Sequence, residues 1–468
     1  MNSLEAARDA AVRAGVEFGE FRTFRRESTG VTLQDGRADK MARGLEFGTA
    51  VRVLLGGAWG FASVNSSEGR DVEDALDASL GMARSAGASV LEPSAVARVD
   101  PVRGSFSLGA AVDPKTVRLE RKASFLRGLE ADARKTAGAL AANTVFSYSD
   151  EWCSEKVVNT FGTALENSVC RTSVMCSVTV KDGQDRQNGF EMRGGVGGWE
   201  IAESVVSADF GVRAAAVALS LLKAESAPSG TYPVVLDGKL AGIFVHEAFG
   251  HGSEADSVLS GKSIVAGKVG TMIASPLVTI IDDATLASGN GRYLYDSEGV
   301  AASRRVLVEA GTMKSLLHSL ETAGRMGEKP TGSARAMDHQ HPPIVRMSNT
   351  FFAPGRSSFE ELLRPIDQGV YLKGSHWGYV RTDQGQFHVA ARQAWMIRNG
   401  ELAEPLRDVS ISGLTLETLK KIDAVGNDFS LGGAGGHCGK SGQMIPVDEG
   451  GPSIRISEIV VGGKGGRR

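Results

Sequence analysis

The sequence predicts an α+β fold: an N-terminal α/β domain with helices against a mostly antiparallel sheet, then a C-terminal β-rich, sandwich-like or barrel-like domain entered through one helix near 238–250. In the first half, helical periodicity alternates with hairpin signals, whereas short strands dominate after about residue 265. Ala227-Pro228-Ser229-Gly230 is a proline and small-residue break between the two patterns. We therefore predict domains at residues 1–226 and 227–468.

The N-terminal elements follow from apolar spacing and turn residues. In the first predicted helix, residues 3–14, Leu4, Ala7, Ala11 and Val12 share a face. Asp113-Pro114 predicts the start of a long helix, with Asp as N-cap and Pro at the first helical position. The other predictions are strands that end at Asp35-Gly36 and Gly56-Gly57, helices over 66–87 and about 208–224, and strands within 144–194 that turn at Phe161-Gly162-Thr163 and Asp182-Gly183.

The C-terminal half reads as strands separated by Gly, Asn-Gly and Asp turns. The whole chain has 59 glycines in 468 residues. Because they follow no Gly-X-Y period, this high content indicates many tight turns. The predicted strands are Leu277–Ile281, Gly299–Glu309, Gly369–Leu372, Phe387–Arg398 and Ile454–Val461. These short strands favour a sandwich or barrel.

Composition and the lengths of the apolar runs argue against several classes of protein. A formal net charge of −3 gives no support for nucleic-acid binding. No run approaches the ~20 apolar residues of a membrane span, and the N-terminus has no apolar stretch of signal-peptide length. Four cysteines are too few for a disulfide framework. We therefore expect a cytoplasmic protein with no membrane or nucleic-acid partner, in which Cys153, Cys170 and Cys176 are buried structural thiols.

The segment His246-Glu247-Ala248-Phe249-Gly250-His251 carries the sharpest chemical signal. Two imidazoles with an adjacent carboxylate are what a metallopeptidase needs, because zinc lowers the pKa of its water to about 7 and the carboxylate accepts the proton. The alternative is that two unrelated histidines cap a helix C-terminus, where the helix dipole favours an imidazolium.

The spacing of the two histidines requires a break in the helix. The familiar zinc-binding helix has histidines at i and i+4, whereas His246 and His251 are at i and i+5. At about 100° per residue they lie roughly 140° apart on a regular helix, too far to share an ion. Asp237 is a candidate N-cap, and Gly250 is the residue expected to permit a break before His251.

Two histidines leave the ligand set incomplete. Candidates for a third ligand are Glu254, Asp256, Cys438 and the remaining histidines. Cys438 lies in a glycine-rich segment that allows close approach of the backbone, and a zinc ion would keep its thiol ionised. Alternatively, Cys438 is a small buried residue in a glycine turn.

With these residues assembled, the chain resembles the TldD/PmbA family, specifically its catalytic TldD branch. The resemblance spans essentially the whole length and is strongest from about residue 240 onward. The blocks that carry it are 246–251 with Glu254-Ala255-Asp256, Asp296-Ser297-Glu298-Gly299-Val300-Ala301 (a "DxEG" strand), Arg346-Met347-Ser348-Asn349-Thr350 with Pro354-Gly355, Ile422-Asp423-Ala424-Val425-Gly426-Asn427-Asp428, and His437-Cys438-Gly439-Lys440 with Gly442-Gln443 and Pro446-Val447.

The resemblance implies a zinc metallopeptidase in which His246, His251 and Cys438 hold Zn²⁺ and Glu247 is the general acid/base. The family is associated with cleavage of unfolded or extended peptides, including microcin maturation and antitoxin turnover. Its sister branch, PmbA or TldE, lacks the metal residues and pairs with TldD. A homodimer or a heterodimer with a TldE/PmbA-like paralogue is therefore expected.

Several assignments stay open at this level. Glu254 either orients His251 through the ring nitrogen that is not on zinc or is a solvated glutamate. His339 and His341 are expected in a loop, and nothing in the sequence selects His376 or His388 as oxyanion donors. The rival function is a non-catalytic TldE/PmbA-like scaffold with a structural metal, for which Glu254 or His437 would be a fourth ligand. The five tryptophans, Trp59, Trp152, Trp199, Trp377 and Trp395, read as core or interface anchors.

Overall fold

A computed structural model describes residues 3–206, 208–431, 433 and 435–463. The N-terminal part contains a seven-stranded sheet in the order β3-β2-β1-β5-β6-β4, with β7 also paired to β6. Its strands are β1 (Phe18–Gln34), β2 (Arg37–Leu55), β3 (Ala58–Val64), β4 (Arg103–Leu108), β5 (Ala141–Asn159), β6 (Ala164–Asp182) and β7 (Asp185–Val196). Its helices are α1 (Ser3–Arg13), α2 (Gly69–Gly87), α3 (Leu119–Ala137), α4 (Trp199–Ser204) and α5 (Phe210–Leu222).

Two apolar clusters attach these helices to the sheet. α1 and α2 pack over Phe21 and Val51, whereas α3, α4 and α5 pack over Phe146 and the central part of β6. All pairs in this sheet are antiparallel except β4 with β6. The β1–β2 hairpin turns at Asp35 and Gly36, whose φ angles of 49° and 78° fit the turn that Asp-Gly favours.

The C-terminal part is built around a closed barrel. β16, β9, β25, β19 and β17 are hydrogen-bonded in that order, and β16 also pairs with β17, which closes the ring. The strands of this part are β8 (Glu225–Ser226), β9 (Gly230–Leu236), β10 (Ile280–Asp283), β11 (Arg304–Glu309), β12 (Thr312–Met313), β13 (Ala334–Arg335), β14 (Ile344–Val345), β15 (Asn349–Phe352), β16 (Gln368–Arg381), β17 (Gln386–Arg398), β18 (Glu401–Arg407), β19 (Ser410–Leu414), β20 (Ile422–Val425), β21 (Ser430–Leu431), β22 (His437–Lys440), β23 (Gln443–Pro446), β24 (Asp448–Gly451) and β25 (Ile454–Gly462).

A helix lies between this barrel and a second sheet of order β12-β11-β10-β15-β24-β21. This is α6 (Gly238–Ala248), and its Phe244 contacts Phe352 of β15 on one side and Phe387 of β17 on the other. The remaining helices are α7 (Ala255–Leu259), α8 (Leu320–Met326), α9 (Phe359–Leu363) and α10 (Thr415–Lys420). α6 therefore carries His246 into the middle of the largest apolar core.

The α+β class and the barrel-like C-terminal part are confirmed. The expected helix start at Asp113-Pro114 is wrong: Asp113 caps only a short 3₁₀ turn, and extended Val117 and Arg118 delay α3 until Leu119. The "DxEG" segment is a turn rather than a strand, because Asp296 accepts hydrogen bonds from the N–H groups of Glu298 and Val300. The strand expected from Gly299 therefore begins at Arg304.

The strand expected over Gly369–Leu372 extends to Arg381, and the strand expected over Leu277–Ile281 is shifted to Ile280–Asp283. The domain boundary between residues 226 and 227 stays a prediction; Glu225 and Ser226 pair with β18 of the C-terminal sheet. Across the described residues, every helix is too short or too polar to span a lipid bilayer.

Candidate metal centre

The first histidine is held by a well-capped helix. Asp237 accepts hydrogen bonds at one oxygen from the N–H of Leu240 at 2.9 Å and from that of Gly374 at 3.0 Å, so the predicted N-cap also ties α6 to β16. Leu240, Phe244 and Val245 are fully buried, which fixes the rotation of the helix. His246 is 2% exposed and lies in the last turn.

The helix ends between the two histidines, as their spacing requires. α6 stops at Ala248, Phe249 departs from helical geometry with φ −120° and ψ −43°, and a 3₁₀ turn over Gly250–Ser253 carries His251. The imidazole centroids of His246 and His251 are 5.2 Å apart. The reason for Gly250 differs from the expectation: its φ is not positive, but an added Cβ would lie 2.0 Å from Sδ of Met347.

Cys438 reaches the same place from a distant segment. It lies on β22, opposite Ile445 of β23, and its Sγ is 3.3 Å from Nε2 of His251. Arg346 fixes this hairpin, because its guanidinium donates to the carbonyls of Cys438 at 2.5 Å and of Gln443 at 3.1 Å. The structure thus brings together the three residues proposed as ligands, with donor atoms within 4.8 Å of one another.

The donor set fits zinc. Two imidazole nitrogens and one thiolate are ordinary zinc ligands, and three protein ligands are typical of catalytic rather than structural sites. Nδ1 of His246 is buried and has no hydrogen-bond partner, which agrees with a group whose partner is an ion or a solvent molecule. Neither Glu254 nor Asp256, the other nearby candidates, belongs to this group.

The three side chains polarise one another strongly. Burial opposes ionisation of Cys438, but the charge of His246 and hydrogen bonds from both histidines lower the pKa of its thiol to about 4. Burial likewise opposes protonation of His246, yet the Cys438 thiolate raises the pKa of this imidazole to about 9. For His251, the charge of Glu254 outweighs burial and raises the pKa well above the usual value. These shifts favour the ionised form of the Cys438 thiol and the protonated forms of the two imidazoles.

Glu254 holds His251 in place. Its carboxylate is fully buried, and Oε2 lies 3.1 Å from Nδ1 of His251 and 3.1 Å from Nζ of Lys440. Burial opposes ionisation, but Lys440 and His251 lower the pKa of Glu254 to about 2. Lys440 also contacts both carboxylate oxygens of Asp256, at 2.7 and 2.8 Å. The sequence left open whether Glu254 orients His251 or is solvated. In the structure its buried carboxylate hydrogen-bonds to Nδ1 of His251, whereas Cys438 contacts the other ring nitrogen, Nε2.

Glu247 is half-buried and follows His246 directly on α6. Strand β16 passes close to it, because a Cβ added to Gly378 would lie 2.9 Å from Cγ of Glu247. The charge of Glu247 also helps to raise the pKa of His246. Glu449, on β24, is a second acidic residue of this neighbourhood, and burial raises the pKa of its carboxyl.

The sequence missed several residues that support the centre, among them Arg346, Lys440 and Glu449. Arg346 and Lys440 lie in the segments 346–350 and 437–440, which carry the family resemblance. Nothing in their spacing shows which backbone carbonyl or carboxylate each side chain contacts. His376 and His388 line a different cavity, beside Trp377, which is half exposed. His339 and His341 lie in a loop, as expected, although His339 is buried. Cys170 and Cys176 are buried, whereas Cys153 is only partly so.

Fold and candidate site together define a metallopeptidase-like protein, with a histidine pair on a broken helix and a distant cysteine. Comparison with known families agrees: models of the PmbA/TldA metallopeptidase match residues 19–83 (domain 1), 112–222 (central domain) and 229–463 (C-terminal domain). The chain belongs to the PmbA/TldD family.

Two relatives with similar sequences are described as metalloproteases, and a solved structure has the same fold. A metalloprotease of Methanothermobacter thermautotrophicus is 41% identical over 457 residues, covering 96% of each chain. A zinc metalloprotease TldD homolog of Saccharolobus solfataricus is 27% identical, covering 97% of this chain and 98% of its own. The crystal structure of TldE from Thermococcus kodakarensis has the same fold, with a TM-score of 0.75 and 18% identity over 98% of this chain and 100% of that one.

Proposed function

We propose that this protein is a zinc-dependent peptidase that hydrolyses peptide bonds in unfolded or extended peptides. The observation that carries the proposal is the group of three convergent donors, His246, His251 and Cys438, with Glu247 next in sequence to one of them. Within the described residues this group has three members, and neither Glu254 nor His437 joins it as a fourth. A position is thus left for solvent or substrate, which favours an enzyme over a scaffold with a closed structural site.

The roles of the residues follow from this arrangement. Zinc would be held by His246, His251 and Cys438 and would supply an acidified water and a polarised carbonyl. Glu247, next to His246 on α6, would act as the general base for the attacking water and as the general acid for the leaving amine. Glu254 and Lys440 keep the ring of His251 in one orientation, so the donors need not reorganise on binding.

The preference for extended peptides is supported by the strands beside Cys438. β22 and β23 form a two-stranded sheet, and in the described part of the chain neither pairs with a further strand. An extended peptide can add to such an edge through backbone hydrogen bonds, which tolerate many side chains. Such a substrate must be locally unfolded to enter. We also propose that the active form is a homodimer or a heterodimer with a TldE/PmbA-like paralogue.

The central test compares wild type with Glu247→Gln. We expect both to bind one equivalent of zinc, and we expect the variant to lose peptide cleavage by at least about 100-fold, because the general base is gone. Glu309→Gln is the matched control, since that side chain is 61% exposed and forms a surface ion pair with Lys314 at 3.3 Å. A zinc-loaded wild type that cleaves no peptide would instead support the scaffold function, whereas a fully active Glu247→Gln would contradict the role assigned to Glu247.

A second test addresses the state of the substrate. We expect a destabilised, unfolded variant of a small domain to be cleaved much faster than the same domain folded, measured by mass spectrometry at equal concentrations. Equal rates would contradict the proposed need for an extended backbone. Amount of enzyme and zinc content are identical in the two reactions, so only the substrate differs.

A further inference from the structure

A cavity of about 120 Å³ lies between the N-terminal sheet and the hairpin that carries Cys438. Arg171 of β6, Arg335 of β13 and Ile445 of β23 are among the residues that line it. Ile445 is the strand partner of Cys438, so the cavity borders the same hairpin as the metal centre.

Two arginines in this cavity are buried without an acidic partner. Arg171 is 9% exposed and donates to the carbonyls of Asn290 at 3.2 Å and Arg292 at 3.0 Å. Arg335 is 7% exposed and donates to the carbonyl of Met347 at 3.1 Å. Among the described residues, neither guanidinium has a carboxylate within 4.0 Å, whereas the buried Arg22 and Arg52 each pair with two.

The acidic residues that line the cavity are already engaged. Glu155 pairs with Arg22 at 2.6 Å and Glu151 with Arg26 at 3.4 Å. Asp296 accepts hydrogen bonds from three backbone N–H groups, and burial raises the pKa of its carboxyl well above the usual range. Among the described residues that line the cavity, Arg171 and Arg335 therefore have no carboxylate partner of their own.

Burying a cation without a counter-charge is costly, and proteins usually compensate it with an anion. Burial, reinforced by Arg171 and Arg346, lowers the pKa of Arg335 to about 9, so it still carries its charge at neutral pH. Its guanidinium also lies 4.8 Å from the ring centroid of Tyr293, which fixes its plane. A planar guanidinium fork of this kind matches a carboxylate.

We propose that this cavity binds a carboxylate group of the peptide substrate through Arg171 and Arg335. This inference rests on the proposed peptidase function and specifies its substrate. Leu108, Val169 and Tyr295, which also line the cavity, provide apolar surface for the side chain beside that carboxylate. The carboxylate comes either from the C-terminus of the peptide or from an aspartate or glutamate side chain.

Three peptides of one neutral sequence separate these sources: a free C-terminal acid, the C-terminal amide, and an amide with one internal glutamate. We expect the wild type to cleave a carboxylate-bearing peptide with a higher kcat/KM than the neutral amide. In Arg335→Met and Arg171→Met this preference falls by about 10- to 100-fold, the loss expected for a hydrogen bond to a charged group. The change appears mainly in KM.

The controls address folding and non-specific charge. The preference is a ratio of two rates in one enzyme preparation, so it does not depend on the fraction that is folded. Arg335→Lys keeps the charge without the two-nitrogen fork and should lose part of the preference. Arg118→Met, at a side chain that is 84% exposed, should keep all of it.

The outcomes are distinct. A lost preference for the free acid assigns the cavity to the C-terminus, and a lost preference for the glutamate peptide assigns it to an acidic side chain; both support the proposal. Equal cleavage of all three peptides by the wild type, or an unchanged preference in both methionine variants, overturns it while leaving the peptidase function intact. If no peptide is cleaved by the zinc-loaded protein, both proposals fall.

Discussion

Around Cys438, a few side chains determine how tightly the centre holds a metal. The thiol is already ionised near neutral pH, with a pKa of about 4, while the pKa of His246 is about 9 and that of His251 is also raised. Because metal ligands bind in their deprotonated forms, the two imidazolium protons are the ones that zinc must displace.

This charge state predicts how zinc affinity depends on pH. Between pH 7 and 8 we expect the logarithm of the apparent association constant to rise by about two per pH unit, because His246 and His251 each lose a proton on binding. With unshifted pKa values only the thiol would be protonated, and the slope would be about one. The measurement is competition with a chelator, corrected for the chelator's own protonation.

Glu254→Gln is the matched variant for this prediction. The charge of Glu254 raises the pKa of His251. Its removal should therefore bring the slope closer to one and weaken zinc binding at pH 8, where the wild-type ring is held in place. A slope near one in the wild type would show that the imidazoles are not protonated in the metal-free protein.

Single residues also show where sequence information ends. His246 and His251 could be predicted as metal ligands from the local motif, because two imidazoles with an adjacent carboxylate are typical of a metallopeptidase zinc site. The role of Glu254 could not, since its two possibilities differ only in which atom it faces. Cys438 is 187 residues from His251, and the resemblance to a family, rather than spacing, selected it from the candidate ligands.

At the scale of elements, the end of α6 decides whether the histidines meet. The helix itself follows from Asp237 and from an apolar face, so it could be predicted. The way it breaks could not: a glycine at 250 suggests a positive φ, but its structural role is to leave space for Met347, a residue from another segment. Tertiary packing, absent from local sequence, supplies that reason.

A substitution at Gly250 tests this explanation. In Gly250→Ala, the new Cβ would lie 2.0 Å from Sδ of the buried Met347, so the turn must shift. We expect a loss of about 1–3 kcal/mol in the free energy of unfolding, typical of overpacking, and weaker zinc binding because His251 moves with the turn. Urea denaturation and a zinc titration measure the two effects.

Gly128→Ala is the control, because Gly128 lies inside α3 and has nothing within 4 Å of an added Cβ. It should stabilise the protein by about 0.5–1 kcal/mol and leave zinc binding unchanged. If Gly250→Ala behaved like this control, the close approach to Met347 would not determine the position of His251.

Across the whole molecule, long-range pairing is what the sequence predicts least well. The fold class and most elements follow from periodicity and turn residues. The closed barrel, however, requires β9 to pair with β25, and these two strands are separated by most of the C-terminal sequence. Likewise, nothing local indicates that Arg52 of the N-terminal sheet reaches the turn at Glu298. Such contacts join segments that are far apart in the chain.

The contact between Arg52 and Glu298 makes the last prediction. Arg52 donates to Glu298 at 2.6 Å and to Glu20 at 3.0 Å, and all three side chains are buried. Arg52→Met leaves the buried Glu298 without its cation and Glu20 with Arg22 alone, so we expect the free energy of unfolding to fall by about 3–5 kcal/mol. Arg304→Met, at an exposed side chain 3.7 Å from Asp283, should cost at most about 1 kcal/mol.

The double variant Arg52→Met with Glu298→Gln separates lost attraction from stranded charge. Glu298 is fully buried and also accepts a hydrogen bond from the N–H of Leu320 at 2.7 Å, which glutamine can still accept. We expect this variant to be more stable than Arg52→Met alone, because one uncompensated charge is gone. If the double variant is the less stable of the two in urea denaturation, the cost arises from packing against Trp59, which lies 4.4 Å from the Arg52 guanidinium, rather than from charge.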